Sequence, residues 1–228
     1  MSYAWLLHWT VTIFLLVAVV VGVRAGHVEP VGCVQLPALT GDATTSVGSC
    51  NATTTWHKIS TQTASAGASM QWTGLGSTYN DYVLQCPYVY PATDAVNIYV
   101  QLGEGGTPTW QTANYRWEQV IVGSGASPTI SASSAGGTDS GFSVAGGGIH
   151  NVVSNAASFR AIISNIPSTT YYVSVQMTTA DLGNGPTSYI YAGAGHFTGD
   201  TTAKTAIRVI AASGNETGQC SLWGIVVP

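Results

Sequence analysis

The chain has 228 residues, enough for one domain of ordinary size with an extension. Charged residues make up only 7% of it, against about 25% in ordinary soluble domains; helical surfaces draw on Glu, Lys and Arg, so this scarcity argues for strands joined by uncharged polar turns. The net charge is −4, and Lys58, Arg116, Arg160, Lys204 and Arg208 stand singly along the sequence, which excludes the basic stripe of a nucleic-acid binder.

Residues 3–23 form an uncharged apolar run from Tyr3 to Val23, long enough for a helix that crosses a hydrocarbon core, for which about 20 residues suffice. The run ends in Val23-Arg24-Ala25 before Gly26, small or aliphatic where a signal peptidase would cut. Residues 1–25 therefore read as one apolar helix, either a cleaved signal peptide or a retained membrane anchor. Residues 26–55, rich in Gly, Thr and Pro and without periodicity, read as a linker or stalk.

The four cysteines, Cys33, Cys50, Cys86 and Cys220, are an even set downstream of an export segment, the pattern of disulfides in an oxidising compartment. Three pairings are open. Cys33 with Cys50, closing a short local loop, and Cys86 with Cys220, joining strands from opposite ends of the domain, is the preferred one; the alternative is four free thiols, two buried as small apolar residues. No Cys-x-x-Cys or clustered His suggests zinc, and no cofactor or metal is expected.

From residue 56 to 228 the text changes to strand phrases divided by turns. Trp56–Ser60, Ser69–Leu75, Asp81–Tyr90, Ala95–Leu102 and Tyr115–Val122 are bounded by turn clusters such as Pro91-Ala-Thr-Asp94 and Gly103-Glu-Gly-Gly-Thr-Pro108. The stretch from Gly123 to Gly148 is so dense in Gly, Ser and Ala that it reads as loop or weakly patterned strand. Ala157–Ser164, Tyr171–Thr178 and Ser188–Phe197 follow. Ala206–Ala211 and Cys220–Ile225, around Ser213-Gly214-Asn215, read as a hairpin that closes a sheet. About ten strands without a helix after residue 25 predict an all-β fold, an antiparallel two-sheet β-sandwich of jelly-roll type.

Gly137-Thr-Asp-Ser-Gly141 with His57 could suggest a serine nucleophile, but the flanking text of that chemistry is missing. Glu118, between Trp117 and Gln119, could be an acid in a sugar cleft, although an outward strand carboxylate is the commoner meaning. Asp94, Asp139 and Asp200 sit in turns, where side-chain capping is the ordinary role. Trp110 in a polar loop, with Tyr115 and Trp117, is the best candidate ligand-binding surface, since rigid aromatics beside Gln111, Asn114 and Gln119 can stack on sugar rings or anchor a protein. Tyr115 and Trp117 share strand parity and can equally be one inward face. Asn51-Ala-Thr and Asn215-Glu-Thr fit the glycosylation acceptor pattern.

The ending Ser213-Gly214-Asn215 … Gly218 … Leu222-Trp223-Gly224-Ile225 resembles that of a β-sandwich domain of bacteriophage tail-fibre and other virion proteins. In order, Trp56-His-Lys-Ile-Ser60, Thr63–Trp72, Tyr79–Leu84, Tyr90-Pro-Ala-Thr-Asp94, Val100–Thr107, Asn114-Tyr115, Gly195-His-Phe197 and Ala206–Ile210 are similar to its successive phrases, so the resemblance covers about residues 56–228. The apolar N-terminus and the cysteines depart from it. The resemblance implies a non-enzymatic virion surface or tail-associated structural protein, a homo-oligomer that takes part in host attachment through a host-surface glycan, a receptor or other virion subunits, and that meets the membrane through its N-terminal segment if that is uncleaved. The departures point to a surface-exposed, exported version. An exported cellular carbohydrate-binding module or adhesin, and a purely structural virion subunit, are the alternatives.

Overall fold

The computed structural model describes residues 55–124, 129–182 and 187–226. The apolar run 3–23, Cys33, Cys50 and Asn51 lie outside them, and so do the expectations that rest on those residues. The described strands are β1 (Thr55–Gly67), β2 (Met70–Thr73), β3 (Asp81–Pro91), β4 (Ile98–Glu104), β5 (Thr109–Trp110), β6 (Tyr115–Gly123), β7 (Thr129–Asp139), β8 (Phe142–Ser143), β9 (Ala157–Ser164), β10 (Ser174–Leu182), β11 (Ser188–Phe197), β12 (Ala206–Ala211) and β13 (Glu216–Val226), with a single 3-10 turn at Val153–Asn155. Among the described residues no helix is long and apolar enough to cross a membrane.

The strands form two antiparallel sheets, as the alternation predicts. The larger runs β1-β13-β3-β9-β10-β11-β6-β7; the smaller runs β2-β12-β4-β5, with β8 also pairing β4. Strict alternation decides which side chains go inward: β9 buries Ala157, Phe159, Ala161 and Ile163, and β10 buries Val175, Met177 and Thr179, while their neighbours face out. The core lies between the sheets, where Tyr82, Leu84 and Leu222 of the larger meet Ile98, Val100, Leu102, Ile207 and Val209 of the smaller.

The closing stretch is not a hairpin. β12 belongs to the smaller sheet and β13 to the larger. Both sides of β12 are taken by β2 and β4, and both sides of β13 by β1 and β3, so neither has an edge left for the other. Residues 212–215 instead arch across the sandwich, with Gly214 at φ +73°. Ala212 N–H donates to Asn97 O at 2.8 Å, Ala92 N–H to Asn215 O at 2.7 Å, and Asn215 Nδ2 to Ala66 O at 2.8 Å. Asn215, a glycosylation candidate, thus stands exposed on this arch with its amide already engaged.

Cys86 and Cys220 form a disulfide between the adjacent strands β3 and β13, both fully buried. The Gly-Ser-Ala stretch contributes more strand than its text suggests: β7 takes Thr129–Asp139 as an edge strand whose residues are mostly exposed. Small side chains suffice there because it has little core to fill.

Candidate functional site

Trp110, Tyr115 and Trp117 do not form one surface. Tyr115 is fully buried, its ring 4.9 Å from that of Phe142 and 5.1 Å from that of Phe197, with its hydroxyl accepting from Leu102 N–H at 2.9 Å and donating to Gln111 O at 3.2 Å. Trp117 is buried too, and its indole N–H donates to Asp139 Oδ2 at 3.0 Å. Tyr115 and Trp117 are therefore the inward face of β6, and their proposed part in ligand contact is corrected. Trp110 is half-buried on the outer side of the smaller sheet, with the Arg208 guanidinium 4.4 Å from its ring centre and Arg208 Nε bonded to Gln101 Oε1 at 2.7 Å.

The inward parity of Tyr115 and Trp117 sends Arg116, Glu118, Val120 and Val122 to the outer face of the larger sheet, where the site is built. Pairing registers set four rows across that face. The first is Ile130–Val122–Ile190–Ala180. The second is Ala132–Val120–Ala192–Thr178–Arg160. The third is Ser134–Glu118–Ala194–Gln176–Ile162–Val83–Trp223–Lys58, and the fourth Gly136–Arg116–His196–Ser174–Ser164–Asp81–Ile225–Trp56.

The Ala192-Gly-Ala-Gly195 text of β11 explains the relief. Gly193 and Gly195 face inward, where an added Cβ would stand 2.5 Å from Gln119 Cγ and 2.8 Å from Trp117 Cβ, so only glycine lets those side chains lie across the strand. Ala192 and Ala194 face outward as a low floor. On one side of it Arg116, Glu118, Val120, Ser134 and His196 rim an open depression of about 630 Å³; on the other Arg160, Ile162, Gln176 and Thr178 rim one of about 390 Å³. Both share Ala192 and Ala194 as floor, so they are two halves of one trough.

The trough is polar at one end and aliphatic at the other. Beyond the fourth row, the loop from Ser164 to Ser174 carries exposed Tyr171 and Tyr172, and Trp56, 40% exposed, stacks on the Arg160 guanidinium at 4.8 Å. At the opposite end Val122, Ile130, Leu182 and Ile190 are exposed.

Charge placement sets this face apart. Lys204, fully buried, is held by Glu104, by Asp200 Oδ1 at 2.6 Å and by Thr202 O at 2.9 Å. Burial alone would raise the Asp200 carboxyl, but the Lys204 ammonium and the Thr202 N–H bring it below its usual range. Asp94 bonds His150 Nδ1 at 2.9 Å and Asn151 N–H at 3.2 Å, and these hold its carboxyl low. Burial pushes Asp181 up to about 6 against the opposing pull of His150, and Glu216 up to about 8. With Arg208 and Asp139 engaged as above, the remaining charged side chains of the described residues are Lys58, Asp81, Arg116, Glu118 and Arg160. All five lie on the outer face: three cations and two carboxylates in a protein of net charge −4.

His57 and Ser140 do not meet. His57 is on β1 and Ser140 follows β7, the two opposite edges of the larger sheet, roughly 34 Å apart at about 4.8 Å per strand. Among the described residues no three of His, Cys, Asp and Glu gather in a way that could hold a metal ion. Glu118 stands exposed in the trough beside Arg116. The outward parity of β6 and the Ala-Gly-Ala-Gly text are the signals in the sequence that could have found this face. Comparison with family models, with curated proteins and with solved structures gives no match.

Proposed function

We propose that this chain is a non-enzymatic virion surface or tail-associated protein that takes part in host attachment, and that the trough on its larger sheet is where a host-surface glycan is bound. The observation that carries the reading is the gathering of exposed Arg116, Glu118 and Arg160, with Gln176, Ser134 and Thr178, around an alanine floor. Extended sugar chains need such an arrangement: a shallow surface for the apolar faces of the rings and amide, hydroxyl and charged groups for their hydroxyls. The local excess of cations favours glycans that carry carboxylate or sulfate groups. Trp56, Tyr171 and Tyr172 supply aromatic rings at the polar end. We read the repeated passage of the chain from one sheet to the other as a jelly-roll type of winding, and the buried disulfide as a mark of export.

The test is glycan-array binding by the full chain beside Ala194→Trp, which fills the trough floor, and Arg116→Ala/Arg160→Ala, which removes two cations. Binding of acidic glycans that both variants abolish without loss of folding supports the reading. Binding that survives both variants, or no glycan binding by the wild type, refutes it. Capsid and portal genes beside the coding sequence would favour a virion protein over an exported cellular module.

A further inference from the structure

The two edges of the larger sheet are unlike. A free edge strand presents unpaired N–H and C=O groups to any chain of similar shape, and proteins blunt such edges with charges, prolines or bulges. β1 carries Lys58 on its edge, and its register breaks twice, between Lys58 and Ser60 and between Ala64 and Gly67. β7 has none of this: Thr129–Gly136 contains no charge and no proline, it pairs with β6 in unbroken register, and the one irregularity lies at the Asp139 end. The edges of the smaller sheet are short, four residues in β2 and two in β5. Among the described residues β7 is therefore the one long, regular, uncharged edge. Ile130, 79% exposed, stands on it beside exposed Val122 and Ile190, so the aliphatic end of the outer face runs out to this edge.

We propose that β7 is a self-association edge, pairing antiparallel with β7 of a second copy of this chain across a two-fold axis, so that two larger sheets join into one. A second copy fits because the strand is neutral. Two copies can then approach without like charges opposed, each backbone edge satisfies the other, and the symmetric contact brings the two Ile130 regions toward one interface. The pairing goes beyond the attachment reading and does not depend on it, although it would set two troughs side by side and raise avidity for a multivalent surface.

The test uses the full chain in one mild detergent throughout, with mass measured by light scattering and sedimentation. The wild type is expected as a dimer. Ile130→Lys/Ser131→Lys, on exposed β7 positions outside the trough, is expected to give monomer with an unchanged circular dichroism spectrum, while Thr63→Lys on β1 leaves the dimer intact. A second measurement does not depend on those variants: a spin label at Ser134→Cys is expected to report an intermolecular distance below about 25 Å, whereas a label at Thr63→Cys reports roughly 70 Å, from about 4.8 Å per strand across two joined sheets. A monomeric wild type, a dimer that survives the β7 double variant, or a short distance at position 63 in place of 134 overturns the proposal. Loss of glycan binding with the dimer preserved, or the reverse, separates this proposal from the attachment reading.

Discussion

Glu216 offers a quantitative test of the packing where the arch enters β13. Its side chain is fully buried, one carboxyl oxygen accepts from Met70 N–H at 3.0 Å, and the other has no protein partner. Burial pushes the carboxyl up to about 8 from an ordinary 4.5, against opposing contributions from the Met70 and Ala211 amides and the Arg208 guanidinium. A carboxyl raised on folding keeps a proton that the unfolded chain gives up. The folded state therefore binds more protons between the two pKa values, and stability falls as pH rises through that window. The contribution is complete below about pH 4.5 and gone above about pH 8. At about 1.4 kcal/mol per pH unit, a span of 3.5 units gives an upper figure of about 5 kcal/mol.

Asp181 shifts in the same direction, but its window closes by about pH 6, so pH 6 to 8 isolates Glu216 among the raised carboxyls. The perturbation is Glu216→Gln, which keeps the acceptor for Met70 and cannot ionise. The assay is urea unfolding of the oxidised chain at half-unit steps from pH 5 to 9, followed by tryptophan fluorescence. The difference in unfolding free energy between variant and wild type should rise by about 1 kcal/mol per pH unit between pH 6 and 8 and then level off, because every other titration is common to both. Parallel curves across that window would refute the reasoning: Glu216 would then hold no proton on folding, and its burial would have to be relieved in solution.

The disulfide closes a loop of 134 residues, for which chain entropy gives about 5 kcal/mol as an upper value, and Cys86→Ala/Cys220→Ala should lose about 3–5 kcal/mol by denaturant unfolding. Gly195→Ala pushes a Cβ against Trp117 and the Arg116 carbonyl; it should cost about 1–3 kcal/mol by overpacking, while Ala194→Ser, on the outward parity of the same strand, should be near neutral in the same assay. Lys204→Met strips the buried cation from Glu104 and Asp200, which keep some solvent contact at 23% and 40% exposure. A loss of about 2 kcal/mol, less than for a fully buried pair, is expected by thermal unfolding near neutral pH, and it should shrink in acid as the Asp200 carboxylate, held low by Lys204, protonates.

Strand alternation makes most of this fold legible in the sequence. Ala157–Ser164 and Ser188–Phe197 have the bounds their text predicts, because each buries every second side chain against the core. The arch is not legible, because a hairpin and an arch share the same local text, an alternating strand, a Gly turn and another alternating strand; only the partners on either side decide between them. β7 is obscure for a different reason, since an edge strand beyond the core needs no apolar face to mark it. Large aromatic side chains point to a contact surface in the wrong place. Tyr115 and Trp117 are large because they fill the space between the sheets, and the alternate positions Arg116 and Glu118 are the ones left exposed on the outer face.

The same parity argument extends to charge. In a chain with so few ionisable groups, each paired one has a local role. Lys204 ties the turn after β11 to β4, and Asp139 receives the indole of Trp117. Asp94 fastens the turn before β4 to His150. Charges engaged in this way cannot steer a partner, and those that remain collect on one face. A protein of this net charge would repel acidic surfaces on average, yet its trough presents Arg116 and Arg160 with only Glu118 in opposition, and Lys58 and Asp81 lie farther along the same face. Attraction to an acidic partner is therefore confined to close range and one orientation. Raising the ionic strength from about 0.05 to 0.5 M, which shortens the screening length from about 14 to about 4 Å, should weaken binding through the trough while leaving a β7-paired dimer, held by backbone hydrogen bonds and Ile130, essentially intact.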